Sequence, residues 1–226
     1  MSDGYQIAAV WEMKAGKERR EAMGRIQKIE KQTDNPFLNM YHLEFTDRDG
    51  KDGNYYFCTR NADDKIKIRT HEMTSEGICV YAVTREPKPR LVMIREYRFP
   101  VDEEIYSLPA GLIDPGETAG EAAAREVKEE CGFTFVESRR GADFYRRPFL
   151  LVPGFSDEPG SAVFGTVTDL DTPAHNESTE WITPMLCDKD EVRRILSEEI
   201  VSVRAAFLCF LFLSMPDDDP LGFLQE

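Results

Sequence analysis

Apolar and polar residues alternate along Phe37-Leu-Asn-Met-Tyr-His-Leu-Glu-Phe45, a period of two that predicts a β-strand with one buried face. The turn-forming Asp47-Arg-Asp-Gly-Lys-Asp-Gly53 follows, and Asn54-Tyr-Tyr-Phe-Cys-Thr-Arg60 returns as a second strand, giving a small N-terminal antiparallel sheet. Before it, Ala15 to Gln32 mixes Lys, Arg and Glu with scattered Met and Ile and reads as an exposed helix. From Ile66 onward the pattern changes. Strands are predicted near residues 77–84 and 90–98, then a helix, then strands around 142–151 and 161–169, then helices near 188–197 and 200–214. The run Ala205-Ala-Phe-Leu-Cys-Phe-Leu-Phe-Leu213 is too short to span a bilayer and predicts a largely buried helix. Asp217-Asp-Asp219 reads as a solvated tail. Strands and helices together predict an α/β (α+β) chain in two parts, an N-terminal helix and hairpin over residues 1–65 and a larger domain over residues 66–226.

The helix in the middle carries the chemistry. Thr118 followed three residues later by Glu121 is a capping-box signature, Ala122 to Glu130 are good helix formers, and Gly132 supplies a stop. Glu126, Glu129 and Glu130 then share one helical face, where like charges repel unless a cation relieves them. Hard carboxylate oxygens without His or Cys suit Mg²⁺, with Mn²⁺ the alternative, and not zinc. Arg125, one turn from Glu129, is placed to orient that carboxylate. Against this stands the plain alternative that a charged helix is only a solvated face.

Composition narrows the partners. A formal charge of −14 argues against nucleic acid and anionic membranes, which need clustered Lys and Arg. It would also repel an anionic substrate, a second reason to expect a cation at the carboxylate face. With 226 residues, 41% of them hydrophobic, the chain has enough apolar material for a real core. Five cysteines without a C-x-x-C pair, and no evident leader, give the expectation of a reducing cytoplasm. Asn176-Glu-Ser178 is then an incidental sequon.

The string Gly111-Leu-Ile-Asp-Pro-Gly-Glu117-Thr-Ala-Gly-Glu-Ala-Ala-Ala-Arg125-Glu126-Val127-Lys-Glu129-Glu130-Cys-Gly132-Phe133 resembles the signature of Nudix hydrolases, G-x5-E-x7-R-E-U-x-E-E-x-G-U, at every specified position, over about a tenth of the chain. The resemblance implies an α/β/α sandwich with a mixed sheet flanked by helices, and hydrolysis of a nucleoside diphosphate linked to another moiety. Leu91-Val-Met-Ile-Arg-Glu-Tyr-Arg98, leading to Leu108-Pro-Ala110-Gly111, looks like the approach to this motif in ADP-ribose pyrophosphatases. There the position of Arg98 contacts substrate and the carbonyl at Ala110 joins the metal shell. Val152-Pro-Gly-Phe-Ser-Asp-Glu158 resembles the S-P-G-x-S-x-E loop of the same branch, with Val152 for serine, which would make Glu158 a substrate-contacting acid. Other nucleoside diphosphate sugars, of the ADP- or UDP-glucose type, remain alternatives.

The same resemblance places the general base on a loop well beyond the motif. The matching segment is Pro173-Ala-His-Asn-Glu177-Ser-Thr-Glu180-Trp-Ile182, with Glu180 the first choice and Glu177 the second. Both can equally be ordinary loop acids, as can His175 be a histidine without a catalytic role. The small sheet before the motif is similar to the one through which dimeric ADP-ribose pyrophosphatases associate, so a homodimer is implied. Phe37, Tyr41, Tyr55 and Tyr56 are candidates for base stacking or, more simply, core. Glu117 has two open readings, a site role or a cap for the helix, and Gly111 and Gly116 are backbone-shape residues. Rival classes are a sugar-nucleotide-binding Nudix regulator, which would lack some of these carboxylates, and an isomerase on the same scaffold, which would need histidines beside the motif. A serine hydrolase would need a G-x-S-x-G elbow, which the sequence lacks.

Overall fold

The computed structural model describes residues 25–170 and 181–226, the side chains of residues 169 and 170 excepted. Glu177, Glu180 and His175 lie outside the described residues, as does the 15–24 part of the expected N-terminal helix. The chain divides into two compact units, one running to Glu72 and including Leu151–Glu158, the other comprising Met73–Leu150 and Pro159–Glu226.

The first unit holds a three-stranded antiparallel sheet in the order β1 (Arg25–Lys31), β2 (Asn39–Thr46), β3 (Asp52–Thr59), with a short helix α1 (Lys67–Thr70). Its core is Tyr41, Leu43, Phe57 and Ile66. The hairpin of β2 and β3 is as the alternation predicts, but residues 25–31 form a strand where a helix was expected. A register shift between Ile26 and Lys28 explains the confusion. It sets Ile26 opposite Phe45 and Ile29 opposite Leu43, so two isoleucines three residues apart share a sheet face, a spacing that otherwise belongs to a helix.

The second unit is built on β4 (Gly77–Thr84), β5 (Leu91–Arg98), β6 (Glu103–Ser107), β7 (Ala110–Leu112), β8 (Phe133–Glu137), β9 (Phe149–Leu150), β10 (Pro159–Leu170) and β11 (Ile182–Cys187). Together they form one eight-stranded sheet whose main order is β11-β5-β4-β10-β8, with β6 on β5, β7 on β4 and β9 on β10. β10 runs parallel to β4, and the other pairs are antiparallel, so the sheet is mixed. The central strand β4 is buried along its whole length, as expected of a strand covered on both faces.

Helix α2 (Ala119–Cys131) covers one face, burying Ala122, Ala123, Val127 and Cys131 against Ile78, Val80, Val92, Ile94 and Val163. Two adjacent alanines let the helix axis approach the sheet closely, and burying Val127 contributes about 1.5–3 kcal/mol. Its capping box is complete: Thr118 Oγ1 accepts from Glu121 N at 3.3 Å, and the Glu121 carboxylate accepts from Thr118 N at 2.8 Å. Gly132 ends it at φ 75°, a left-handed conformation that costs glycine little. The other face is covered by α3 (Lys189–Glu198) and α4 (Val203–Ser214), through Val192, Ile195, Ala205, Cys209 and Phe212 packed on Tyr81, Leu91 and Met93. This is the expected sandwich of a mixed sheet between helices.

Three expectations change. The strand foreseen at 142–151 is a 3-10 turn, Asp143–Arg146, followed by the two-residue β9, while the strand after the helix is β8, which begins directly at Phe133. Helix α4 buries only one face, leaving Val203, Phe207 and Phe210 exposed. The acidic tail is held down: Asp219 accepts from both terminal nitrogens of Arg140 at 2.7 and 3.0 Å, and Asp217 pairs with Lys189 at 2.6 Å. Leu221 and Leu224 beyond it complete the core beneath the sheet.

Candidate functional site

The groups at the heart of the site are placed by α2, by the turn that leads into it and by the short strand facing it. Val80 N donates to the Pro109 carbonyl at 2.8 Å and Ile113 N to the Glu76 carbonyl at 3.0 Å. In an antiparallel ladder bonded and non-bonded pairs alternate, so Cys79–Ala110 and Gly77–Leu112 are non-bonded pairs and the main-chain groups of Ala110 and Leu112 turn away from β4. They are used: Ala110 N donates to Glu130 Oε2 at 3.3 Å, and the Leu112 carbonyl accepts from Arg125 Nη2 at 2.9 Å. The Ala110 carbonyl faces the same way as its N–H.

Between them, Gly111 makes room. A Cβ at this position would stand 1.8 Å from Glu126 Oε1, so the Glu126 carboxylate occupies the space any side chain there would fill. This is a close-approach requirement of the kind only glycine meets.

Arg125 organises the acids. Its Nε and Nη2 reach the two oxygens of Glu117 at 2.9 and 3.0 Å, and its Nη1 reaches Glu126 Oε1 at 2.7 Å and Glu129 Oε2 at 3.2 Å. The bonds to Glu117 are the chief reason the guanidinium is held still more firmly protonated than usual. Conversely, Arg125 first and the Asp114 N–H second hold the Glu117 carboxyl below the ordinary range. Thr118 and Glu121 cap the helix, and Glu117 anchors the arginine.

The three helix acids differ in exposure. Glu130 is buried, Glu126 nearly so, and Glu129 is half exposed at 51% of its side chain. Among the described residues no three His, Cys, Asp or Glu side chains form a ready-made metal cluster. The donor set nevertheless fits a hard divalent cation, since two carboxylates abut the Ala110–Gly111 backbone and the outward Ala110 carbonyl adds a third oxygen.

Arg98 ends β5, half exposed, and its Nε lies 3.1 Å from Glu96 Oε2. Glu158 belongs to the first unit, where it pairs with Arg60 at 3.8 Å. In that unit Tyr41 is core, whereas Phe37, Tyr55 and Tyr56 are exposed, Tyr55 donating to the Gly154 carbonyl at 2.7 Å and Tyr56 stacking on His42. Sequence reasoning missed the Glu117–Arg125 bond, the Leu112 carbonyl and Glu96. The first two partners are too far apart in the chain for a helical spacing rule to report, and an acid flanked by Arg95 and Arg98 reads as ordinary surface charge.

Among the described residues no helix is long and apolar enough to cross a membrane. Comparison with known proteins gives the lineage. A "putative nudix hydrolase 2" of Caenorhabditis elegans is 34% identical over 129 residues, 52% of this chain and 54% of that protein. An ADP-ribose pyrophosphatase of Bacillus subtilis is 35% identical over 82 residues, 36% of this chain and 40% of that one. The matched segments thus span about half or less of these relatives. A crystal structure of an ADP compounds hydrolase superposes with a TM-score of 0.61 at 18% identity, covering 83% of this chain and 91% of the other, a likeness of fold. The family profile described as "NUDIX domain" matches residues 73–208, more than half of the sequence and all of the site built from β7 and α2. On that match the chain belongs to the NUDIX domain family.

Proposed function

We propose that the protein hydrolyses the diphosphate of ADP-ribose to AMP and ribose 5-phosphate, as a homodimer in the cytoplasm and with Mg²⁺, or Mn²⁺ in its place. The observation that carries this is the way Arg125 gathers Glu117, Glu126 and Glu129 while Glu126 and Glu130 lie against the Ala110–Gly111 backbone. The relative named as an ADP-ribose pyrophosphatase supports the choice of substrate. The buried, unpaired thiols are in keeping with a reducing compartment.

In this reading Glu126, Glu129, Glu130 and the Ala110 carbonyl would hold the divalent cation, which when bound would supply neutralisation of the diphosphate and acidification of a water. Arg125 fixes the carboxylates in one orientation in advance, so little reorganisation is needed at the moment of reaction. Arg98 offers its guanidinium to a phosphate, and Glu158 contacts the substrate. A carboxylate oxygen of Glu180, or failing that Glu177, accepts the proton of the attacking water.

The test is a panel of ADP-ribose, ADP-glucose, UDP-glucose, NADH and diadenosine polyphosphates with Mg²⁺. Turnover of ADP-ribose with AMP as product is expected to exceed all others. Preference for another sugar nucleotide would move the substrate, and no turnover of any would favour a binding protein. Glu130→Gln should cut the rate by orders of magnitude with the fold intact, because it removes a charge and keeps the shape; Glu180→Gln against Glu177→Gln separates the two candidate bases.

A further inference from the structure

Arg98 is one residue through which the proposed substrate would be recognised, and it is paired with an acid that has no role in the proposed reaction. Glu96 sits two residues earlier on β5, so both side chains project from the same sheet face. Glu96 as a residue is 7% exposed, an unusual burial for glutamate, and such burial is tolerated when the charge is partnered. Oε2 faces Arg98 Nε at 3.1 Å, and the Ser107 hydroxyl, itself buried on β6, is close enough to favour the charged form of this carboxylate. Ser107 Oγ lies 3.1 Å from Ser202 Oγ, and Ser202 caps α4 through Ala205 N at 3.3 Å. The ion pair therefore adjoins a buried polar pair, Ser107 and Ser202, that ends at the cap of α4.

We infer that Glu96 is a positioning residue for Arg98: it grips the Nε edge of the guanidinium and thereby presents the terminal nitrogens as a fork for a phosphate of the substrate. An arginine at a strand end has several rotatable bonds, and a loosely held one pays rotamer entropy each time it engages an anion. Fixing one edge removes that cost before the ligand arrives. Direct contact between Glu96 and a diphosphate is disfavoured, because the two carry like charge and the carboxylate is already enclosed. Burial pushes the Glu96 carboxyl up from the usual carboxylate range, opposed by Arg98, the Ser107 hydroxyl and the nearby Arg204.

The inference rests on the proposed role of Arg98, and its test separates the two. Steady-state kinetics on ADP-ribose with Mg²⁺ would compare Glu96→Gln, Arg98→Ala and the double variant. Loss of a charge-assisted bond is expected to raise KM about tenfold in Glu96→Gln. The rate constant kcat should stay within about twofold. Arg98→Ala should raise KM at least as far, and the double variant should behave as Arg98→Ala alone, since the two residues act as one unit. An unchanged KM in Glu96→Gln beside a raised KM in Arg98→Ala overturns the inference and spares the role of Arg98; an unchanged KM in Arg98→Ala overturns both. A lowered Tm in Glu96→Gln with KM unchanged marks a purely structural ion pair and likewise overturns it. Should Glu96→Gln fail to fold, Ser107→Ala removes the hydroxyl beside the carboxylate and is expected to raise KM about threefold with kcat kept, an unmoved KM counting against the inference.

Discussion

Arg125 and Glu117 are joined twice over, Nε to Oε1 at 2.9 Å and Nη2 to Oε2 at 3.0 Å, across the start of the helix that carries the arginine. The pair ties the turn before α2 to the helix interior and leaves Nη1 for Glu126 and Glu129. Arg125→Lys keeps the charge but cannot make the two-pronged contact. Both Arg125→Lys and Arg125→Ala are expected to lower kcat/KM for ADP-ribose by about 10–100-fold, as loss of a residue that orients metal-binding acids does. Assays at saturating Mg²⁺ check this, and wild-type kinetics in Arg125→Lys would show that charge alone suffices.

Gly111→Ala tests the close approach of Glu126. The added Cβ would meet Glu126 Oε1 at 1.8 Å, so the carboxylate must move aside. A displacement on that scale is expected to lower kcat by about 10²-fold while far-UV circular dichroism stays unchanged. The Mg²⁺ concentration for half-maximal rate should rise in parallel. A fully active Gly111→Ala would mean that Glu126 is not used where it lies.

The segment after α4 makes two kinds of contact that should separate in a stability measurement. Leu221 is 7% exposed within the core, and Leu221→Ala should cost about 2–5 kcal/mol in urea unfolding. Arg140 and Asp219 pair with side chains 50% and 44% exposed, and Arg140→Ala should cost only about 0–1 kcal/mol. The reverse ranking would place the strength of this segment in its charges.

Burial pushes the Cys79 thiol up to about 11 and those of Cys187 and Cys209 up to about 12, from an ordinary 9.0. Below pH 9 folded and unfolded chains both keep these thiols protonated, so stability does not depend on them. Between pH 9 and about 11 the unfolded chain ionises them and the folded chain does not. The unfolded state then binds fewer protons, and stability falls as pH rises through this window. Urea midpoints at pH 8 and pH 10 check the sign, and at pH 8 a thiol reagent should label these three cysteines only upon unfolding.

What could be read from the sequence was local. The helix start at Thr118, the stop at Gly132 and the clustering of Glu126, Glu129 and Glu130 all follow from spacings of three or four residues, and the structure has them. The hairpin of β2 and β3 was equally plain from its alternation. Non-local pairings were not legible. A β-bulge gave Ile26 and Ile29 the spacing of a helix, and Phe133-Thr-Phe-Val136, a run of strand formers, was obscured by its direct attachment to the helix stop. Asp217 and Asp219 looked free because Lys189 and Arg140 are distant in the chain. Glu96 was hidden for a related reason: nothing nearby in sequence announces that an acid between Arg95 and Arg98 will be buried.

The alternation in β7 has a practical corollary for anyone editing this protein. Ala110 and Leu112 look outward only because Pro109 and Ile113 fix the phase of the three residues between them. One residue inserted or deleted in that stretch would turn both groups inward and aim Gly111 the wrong way. Loop grafts and tags therefore belong at the exposed residues 48–51, outside the paired strands, and the few residues ahead of the carboxylate helix should be left at their present count.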